Sequence, residues 1–322
     1  MFTVLIRCLP SVICLSLFCG AGFAQAQVRQ QQRLGGEPRW VTDAIAAPGV
    51  QHRTFESESA GCAVSYHVFL PDEYDAEPER RFPVLYWLHG SLGGLPGIVP
   101  LSTHFGSAMR AGHIPPMVVV FANGLRLSLW VDSKDRAMPL ETIVVEELVP
   151  HIDATFRTIA SREGRIVEGF SMGGYGAARL GLKHPEMFGA ASSLSGGPLQ
   201  REFTHSPRTS DAGRAQVLRT VFGSDHGYFR ALSPWVLAEQ NADAVRAGPL
   251  LRVVIGEEDE MLAVTREFVE HLTELEIPHA FTLLPGVGHD TRDVLQALGE
   301  DGWAFYREAL ADIDDPDPTP AD

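Results

Sequence analysis

Arg165-Ile166-Val167-Glu168-Gly169-Phe170-Ser171-Met172-Gly173-Gly174-Tyr175 decides the fold of this chain. Gly-x-Ser-x-Gly alone recurs by chance, so the flanks carry the reading. Arg165 to Glu168 is a short strand. Tyr175 to Lys183 is a helix, stopped at His184-Pro185 because proline restricts the residue before it. A serine between such a strand and helix sits on a sharp, strained turn. The glycines on either side let the chain turn without a Cβ clash. The serine also stands at the positive end of the helix that follows, where developing negative charge is favoured.

Working outward, strands alternate with helices from Cys62 onward. Strand candidates are Ala63–Leu70, Pro83–Leu88, Met117–Ala122, Arg165–Glu168, Ala190–Ser193, Arg252–Ile255 and Phe281–Leu284. Several are continuous apolar runs, as expected of strands covered on both faces. Leu140, Val144, Leu148, Ile152 and Phe156 recur every four residues along one helix face. Leu262, Phe268, Val269, Leu272 and Leu275 do the same later. Such interleaving predicts an α/β fold, with a mostly parallel central sheet and helices on both faces, in one domain over 62–311. Residues 198–249 interrupt the rhythm. They are polar and rich in glycine and proline, with weak helical patterning, and read either as a lid or insertion or as an irregular connection.

The termini read differently. Arg7, the uncharged stretch Val12 to Phe23 and the small residues of Ala24-Gln25-Ala26 predict a signal peptide over 1–26, cut after Ala24 or Ala26. The uncharged run is shorter than the roughly 20 residues of a spanning helix, so no stable membrane anchor is expected. Residues 27–61 are read as an N-terminal leader. Residues 312–322 alternate acids with prolines and are expected to be disordered. The location implied is secreted or periplasmic.

Composition removes several function classes. The chain has 322 residues, a formal charge of −15 and four cysteines. Cys8, Cys14 and Cys19 belong to the signal segment, so Cys62 would be left alone, without an intramolecular disulfide or a cysteine metal cage. The acidic balance argues against nucleic acid as a partner, since phosphate binding needs a concentrated cationic surface.

A serine hydroxyl needs a base, and the base needs an acid to fix its tautomer. Where the nucleophile sits on such an elbow, the order along the chain is serine, acid, histidine. His289 is the favoured base because it follows a strand and the turn Pro285-Gly286-Val287-Gly288. His184 is too close to the elbow, while His271 and His279 belong to or flank a helix. Glu257, Glu258, Asp259 and Glu260 all lie just past the strand Arg252–Ile255. Asp259 is favoured because a short side chain three residues beyond the turn can point back at His289. Asp290, next to His289, should point away. A third element, Leu88-His89-Gly90-Ser91-Leu92-Gly93-Gly94, follows an apolar strand. Its backbone, with Ser91 as the expected donor, and the N–H of Met172 would form an oxyanion hole.

With these residues in place, the chain resembles the esterase D-like esterase family of α/β-hydrolases, over about residues 62 to 310. That family includes feruloyl and acetylxylan esterases, S-formylglutathione hydrolases, enterochelin esterases and mycolyltransferases. The resemblance rests on Val84-Leu85-Tyr86-Trp87-Leu88-His89-Gly90, Glu146-Glu147-Leu148-Val149-Pro150-His151-Ile152-Asp153, Gly169-Phe170-Ser171-Met172-Gly173-Gly174-Tyr175-Gly176-Ala177, Gly256-Glu257-Glu258-Asp259 and Gly288-His289. It implies Ser171 as nucleophile, Asp259 as acid, His289 as base, and Ser91 and Met172 as oxyanion donors. It also makes Trp130-Val131-Asp132-Ser133 similar to the family's substrate-cleft segment, although Trp130 itself reads as a core residue. One departure is the lack of an aromatic just after His289, where Asp290-Thr291-Arg292-Asp293 stands and the nearest aromatic is Trp303. The expectation is an exported serine carboxylic-ester hydrolase acting on small or carbohydrate-linked esters, with no metal and no cofactor. An acyltransferase of the mycolyltransferase type and a non-catalytic binding protein on the same scaffold are the alternatives.

Overall fold

Continuous apolar runs become the centre of an eight-stranded sheet in the computed structural model, which describes residues 38–311 and 313. Its strands are β1 (Val50–Ser57), β2 (Cys62–Phe69), β3 (Val84–Leu88), β4 (Val118–Ala122), β5 (Arg165–Phe170), β6 (Ala190–Leu194), β7 (Leu250–Gly256) and β8 (Ala280–Leu284). The order across the sheet is β1-β2-β4-β3-β5-β6-β7-β8. β1 and β2 run antiparallel to their neighbours, and every pairing from β4 to β8 is parallel. This is the α/β architecture expected, and all these elements belong to one compact unit beginning at Arg39.

Alternation along the central strands explains why the runs are uninterrupted. In β3, Val84, Tyr86 and Leu88 enter one core while Leu85 and Trp87 enter the other. In β4, Val118, Val120 and Ala122 part from Val119 and Phe121 in the same way. Successive side chains point to opposite faces, so strands covered on both sides, as β3 and β4 are, can be apolar at every position. Helices α1 (Leu95–Arg110) and α9 (Thr291–Ala309) cover one face. The other face carries α2, made of Leu140–Thr142, Ile143–Leu148 and Val149–Thr155, and α3 (Met172–Lys183). The middle piece of α2 is π-helical. That wider turn suits the four-residue recurrence of Leu140, Val144, Leu148, Ile152 and Phe156, all of which are buried.

Two regions depart from the sequence reading. The leader was expected to reach residue 61, yet Val50–Ser57 is an edge strand registered from Val50 opposite Phe69 to Ser57 opposite Cys62. Only Phe55 and Ser57 are buried in it, so its pattern carries no apolar run to read. Residues 198–249 contain four short helices, α4 (Asp211–Thr220), α5 (His226–Leu232), α6 (Pro234–Gln240) and α7 (Ala242–Arg246), followed by α8 (Leu262–Glu274) beyond β7. Leu199, Phe203, Phe222 and Phe229 from this segment are buried in the same core as α3. The expected signal peptide, residues 27–37 of the leader, and all of the tail except Ile313 lie outside the described residues. Among the described residues no helix is long and apolar enough to cross a membrane, and Cys62 is a free thiol.

The Glu-Leu-x-Pro motif on α2 has a structural role. Glu147 accepts from the Ser57 hydroxyl and the Ser59 N–H, which ties down the β1–β2 turn. His151 meets the Tyr66 hydroxyl on β2 at 3.0 Å. Asp153 pairs with Arg165 at the start of β5 at 2.6 Å. One helix therefore fixes the antiparallel edge and the strand that leads to Ser171.

Candidate active site

Side chains capable of chemistry gather where β3, β5, β7 and β8 end, at the carboxyl edge where open α/β sheets commonly bind ligands. Ser171 follows β5 with φ 58° and ψ −117° and caps α3. An L-residue in that region is strained, and the surroundings must hold it there. Several hydrogen bonds do so: Ser171 N–H donates to Leu194 O at 2.9 Å, and Ser171 O accepts from Tyr175 N–H at 3.0 Å and Gly197 N–H at 3.3 Å. The glycines are required by space. A Cβ at Gly169 would stand 2.5 Å from Leu88 O, and one at Gly173 only 1.8 Å from it. The elbow is thus packed backbone to backbone against β3.

His289 Nε2 lies 2.9 Å from Ser171 Oγ, and His289 Nδ1 lies 2.7 Å from Asp259 Oδ2. Asp259 Oδ1 accepts from Met261 N–H at 2.9 Å. The Asp259 side chain is fully buried and that of His289 nearly so, whereas Ser171 is partly open to solvent. Burial alone would push the Asp259 carboxyl up. Donation from His289 and the Met261 N–H outweighs it, and the group is held below its usual range as a carboxylate. An ionised Asp259 keeps the proton on Nδ1 and leaves Nε2 free to accept from the serine. The three other acids are all exposed. Glu257 accepts weakly from Gly286 N–H, and Glu260 pairs with Arg208. Asp290 caps α9, accepting from Arg292 and Asp293 N–H.

The turn after β3 abuts the serine. A Cβ on Gly90 would lie 3.3 Å from Ser171 Cβ. Its neighbour His89 is buried and locked: Nδ1 meets Gly90 O at 2.7 Å, so it donates there, and Nε2 accepts from Gly124 N–H at 3.1 Å. Burial lowers its pKa to about 4, which keeps the imidazole neutral in this role. Trp130, fully buried, donates from Nε1 to His89 O at 3.1 Å. Leu92 N–H, just past Ser91, donates to Arg126 O at 2.9 Å. The turn carrying Ser91 is therefore fastened on both sides. Met172 is the first residue of α3, where a helix leaves its N–H groups free of intrahelical partners.

Asp132 and Ser133, from the segment similar to a substrate cleft, are engaged internally. Asp132 accepts from Arg136 and Thr142, and Ser133 bonds Asp135 and the Met138 N–H. Trp303 stacks on His113 and packs at a tilt against His104. The aromatic beside His289 is instead Phe170, with ring centroids 4.7 Å apart. It is the x of Gly-x-Ser, a position whose chemistry the motif leaves free. Beneath the elbow, fully buried Glu168 accepts from Arg252 at 2.9 Å and from the Tyr306 hydroxyl at 2.9 Å. Burial raises its pKa despite the guanidinium beside it.

Comparison with known proteins bears on the same region. The family model described as "Putative esterase" matches residues 57–314. Esterase Rv1288 of Mycobacterium tuberculosis is 31% identical over 277 residues, covering 79% of this chain and 59% of that relative. An endo-1,4-beta-xylanase/feruloyl esterase of Xylanibacter ruminicola is 34% identical over 172 residues, 49% of this chain and 23% of that protein. The chain thus spans little more than half of the first relative and about a quarter of the second. Among solved structures, a ferulic acid esterase superposes with a TM-score of 0.66 at 24% identity, covering 80% of this chain and 97% of that one. That likeness is one of fold.

Proposed function

The chain belongs to the esterase family whose model spans residues 57–314, and from that premise we propose that it is a serine carboxylic-ester hydrolase. The observation that carries the reading is the relay from Ser171 Oγ through His289 to Asp259, with contacts of 2.9 and 2.7 Å. In this reading Ser171 attacks the ester carbonyl carbon while His289 Nε2 takes the hydroxyl proton. Asp259 holds the imidazole in place and stabilises the imidazolium. The N–H groups of Met172 and Ser91 receive the oxyanion of the tetrahedral intermediate. The imidazolium then passes its proton to the departing alkoxide, leaving an acyl-serine. Water, deprotonated by His289, attacks that ester, and collapse of the second intermediate returns the proton to Ser171. The relay needs no metal or organic cofactor.

The substrates proposed are small acyl esters, carbohydrate-linked ones among them. Support comes from a relative named for feruloyl esterase activity and from the export reading of residues 1–26, which places the protein outside the cytoplasm. An assembled relay speaks against a purely binding role, because binding alone has no use for a base aligned on the serine. Hydrolysis of p-nitrophenyl acetate and labelling by a fluorophosphonate test the assignment. Ser171→Ala should abolish both, and labelling that persists in that variant would refute it. Feruloyl, acetyl and butyryl esters offered in parallel would rank the acyl groups.

A further inference from the structure

Ser195 stands one residue beyond β6, between the strand that leads to Ser171 and the strand that leads to Asp259. Its own N–H donates to Val254 O on β7 at 2.8 Å, and the preceding Leu194 O accepts the Ser171 N–H at 2.9 Å. The residue therefore bridges the two catalytic strand ends through its backbone. It is fully buried and has φ 46°, a conformation that glycine adopts without cost and L side chains rarely adopt. Glycine is the residue at the next two positions, Gly196 and Gly197. A serine kept in strain, sealed from solvent, needs a use for its hydroxyl.

Among the described residues no partner of good geometry meets Ser195 Oγ. A buried hydroxyl left so is costly, and native interiors rarely tolerate it. The turn that Ser195 opens packs against Met261, whose side chain a Cβ on Gly197 would meet at 2.4 Å. Met261 N–H in turn donates to Asp259, whose carboxylate also takes one N–H from His289 and has lone pairs to spare. Donation from the Ser195 hydroxyl would add a minor share to the bonds from His289 and Met261 that hold the Asp259 carboxyl low. We propose that Ser195 is a positioning residue for the triad, its hydroxyl turning to donate to Asp259 and fix the carboxylate's orientation as His289 becomes charged. The proposal rests on the hydrolase reading above and adds a fourth side chain to its relay.

The test uses the full chain, with Ser195→Gly as the main variant. Glycine removes the hydroxyl and relieves the backbone, so the fold should be kept or slightly strengthened. Ser195→Ala is the companion, which keeps a Cβ should glycine loosen the turn. Both should lower kcat for p-nitrophenyl acetate about tenfold, the typical worth of a hydrogen bond to a charged group, with KM unchanged. The fluorophosphonate labelling rate of Ser171 should fall in parallel. Repeating Ser195→Gly in an Asp259→Asn background, with labelling followed by mass spectrometry, separates positioning from architecture. If Ser195 acts through Asp259, the second substitution adds no further loss. Wild-type kcat in both variants, or the same tenfold loss persisting in the Asp259→Asn background, would overturn the inference and leave the hydrolase reading intact. Failure of the wild-type protein to label at all would overturn both.

Discussion

Replacing Gly173 by alanine puts the packing argument under the most direct strain. The new Cβ would stand 1.8 Å from Leu88 O, 2.5 Å from Leu88 C and 2.9 Å from His89 O. All three are backbone atoms, so no rotamer change can absorb the clash. To restore ordinary contact, α3 and the end of β3 must part by about 1.5 Å at a site packed to crystal density. Overpacking of this kind costs about 1–3 kcal/mol. The displacement falls between the two oxyanion donors proposed above, because Leu88 leads into the Ser91 turn and Gly173 follows Met172. A misplacement of about 1 Å in a catalytic constellation costs roughly a hundredfold in rate. We therefore expect Gly173→Ala to lose about 2 kcal/mol in urea unfolding and about a hundredfold in kcat with p-nitrophenyl acetate. Gly97→Ala in α1 is the control, since its Cβ would meet nothing nearer than the flexible end of Leu101, Cδ1 at 3.3 Å. A Gly173→Ala protein with wild-type stability and rate would refute the claim that backbone contact between elbow and β3 sets the oxyanion geometry.

Two further outcomes concern pH and buried charge. Glu141 on α2 is paired with Arg179, Lys183 and His184, and burial, which would raise its carboxyl, is outweighed so that it titrates well below the usual range. Its contribution is complete above the ordinary 4.5 and is lost as pH falls below it. Glu141→Gln should cost about 3 kcal/mol at pH 7 by stranding the buried Arg179, and should flatten the acid limb of stability measured by urea unfolding from pH 7 to 3. His89, lowered to about 4 by burial, binds its proton in the unfolded chain first. Stability is therefore unaffected above pH 6.5 and falls by about 3 kcal/mol between pH 6.5 and 4, a slope that His89→Asn should reduce in the same titration.

The fold was readable where burial is symmetrical. β3 and β4 lie covered on both faces and are apolar at every position, and β5 to β7 keep enough apolar residues to declare themselves. β1 has one face in water and reads as polar chain, which is why its pairing with β2 needed the structure. The helices of 198–249 left a fainter trace. Ser210, Asp225 and Ser233 each accept an N–H in the first turn, from Gly213, Tyr228 and Trp235. Such caps are local signals that could have divided the segment, although helices this short carry too few turns for a periodic face. At the site, the order serine, acid, histidine singled out three residues that the fold brings together from positions 171, 259 and 289. Phe170 against His289 carried no such mark, nor did His89, whose ring is held by Gly124 from across the sheet edge.

Buried charge shows the limit of the pattern more sharply. Glu168 and Arg252 stand at the ends of the strands that the sequence predicts, Arg165–Glu168 and Arg252–Ile255, yet both are almost fully enclosed. Each is tolerable only because the other is there, with the Tyr306 hydroxyl and Ser192 closing the set. The partners come from β5, β6, β7 and α9, so no window of sequence contains the reason for any one of them. The same holds for Ser195, whose strain makes sense only beside Asp259, 64 positions further along the chain by number. Local pattern identifies groups that act alone or on their neighbours, as an elbow or a capping residue does. A polar group whose partner lies on another strand is legible only after the sheet has assembled. In this protein those groups lie directly beneath and beside the serine.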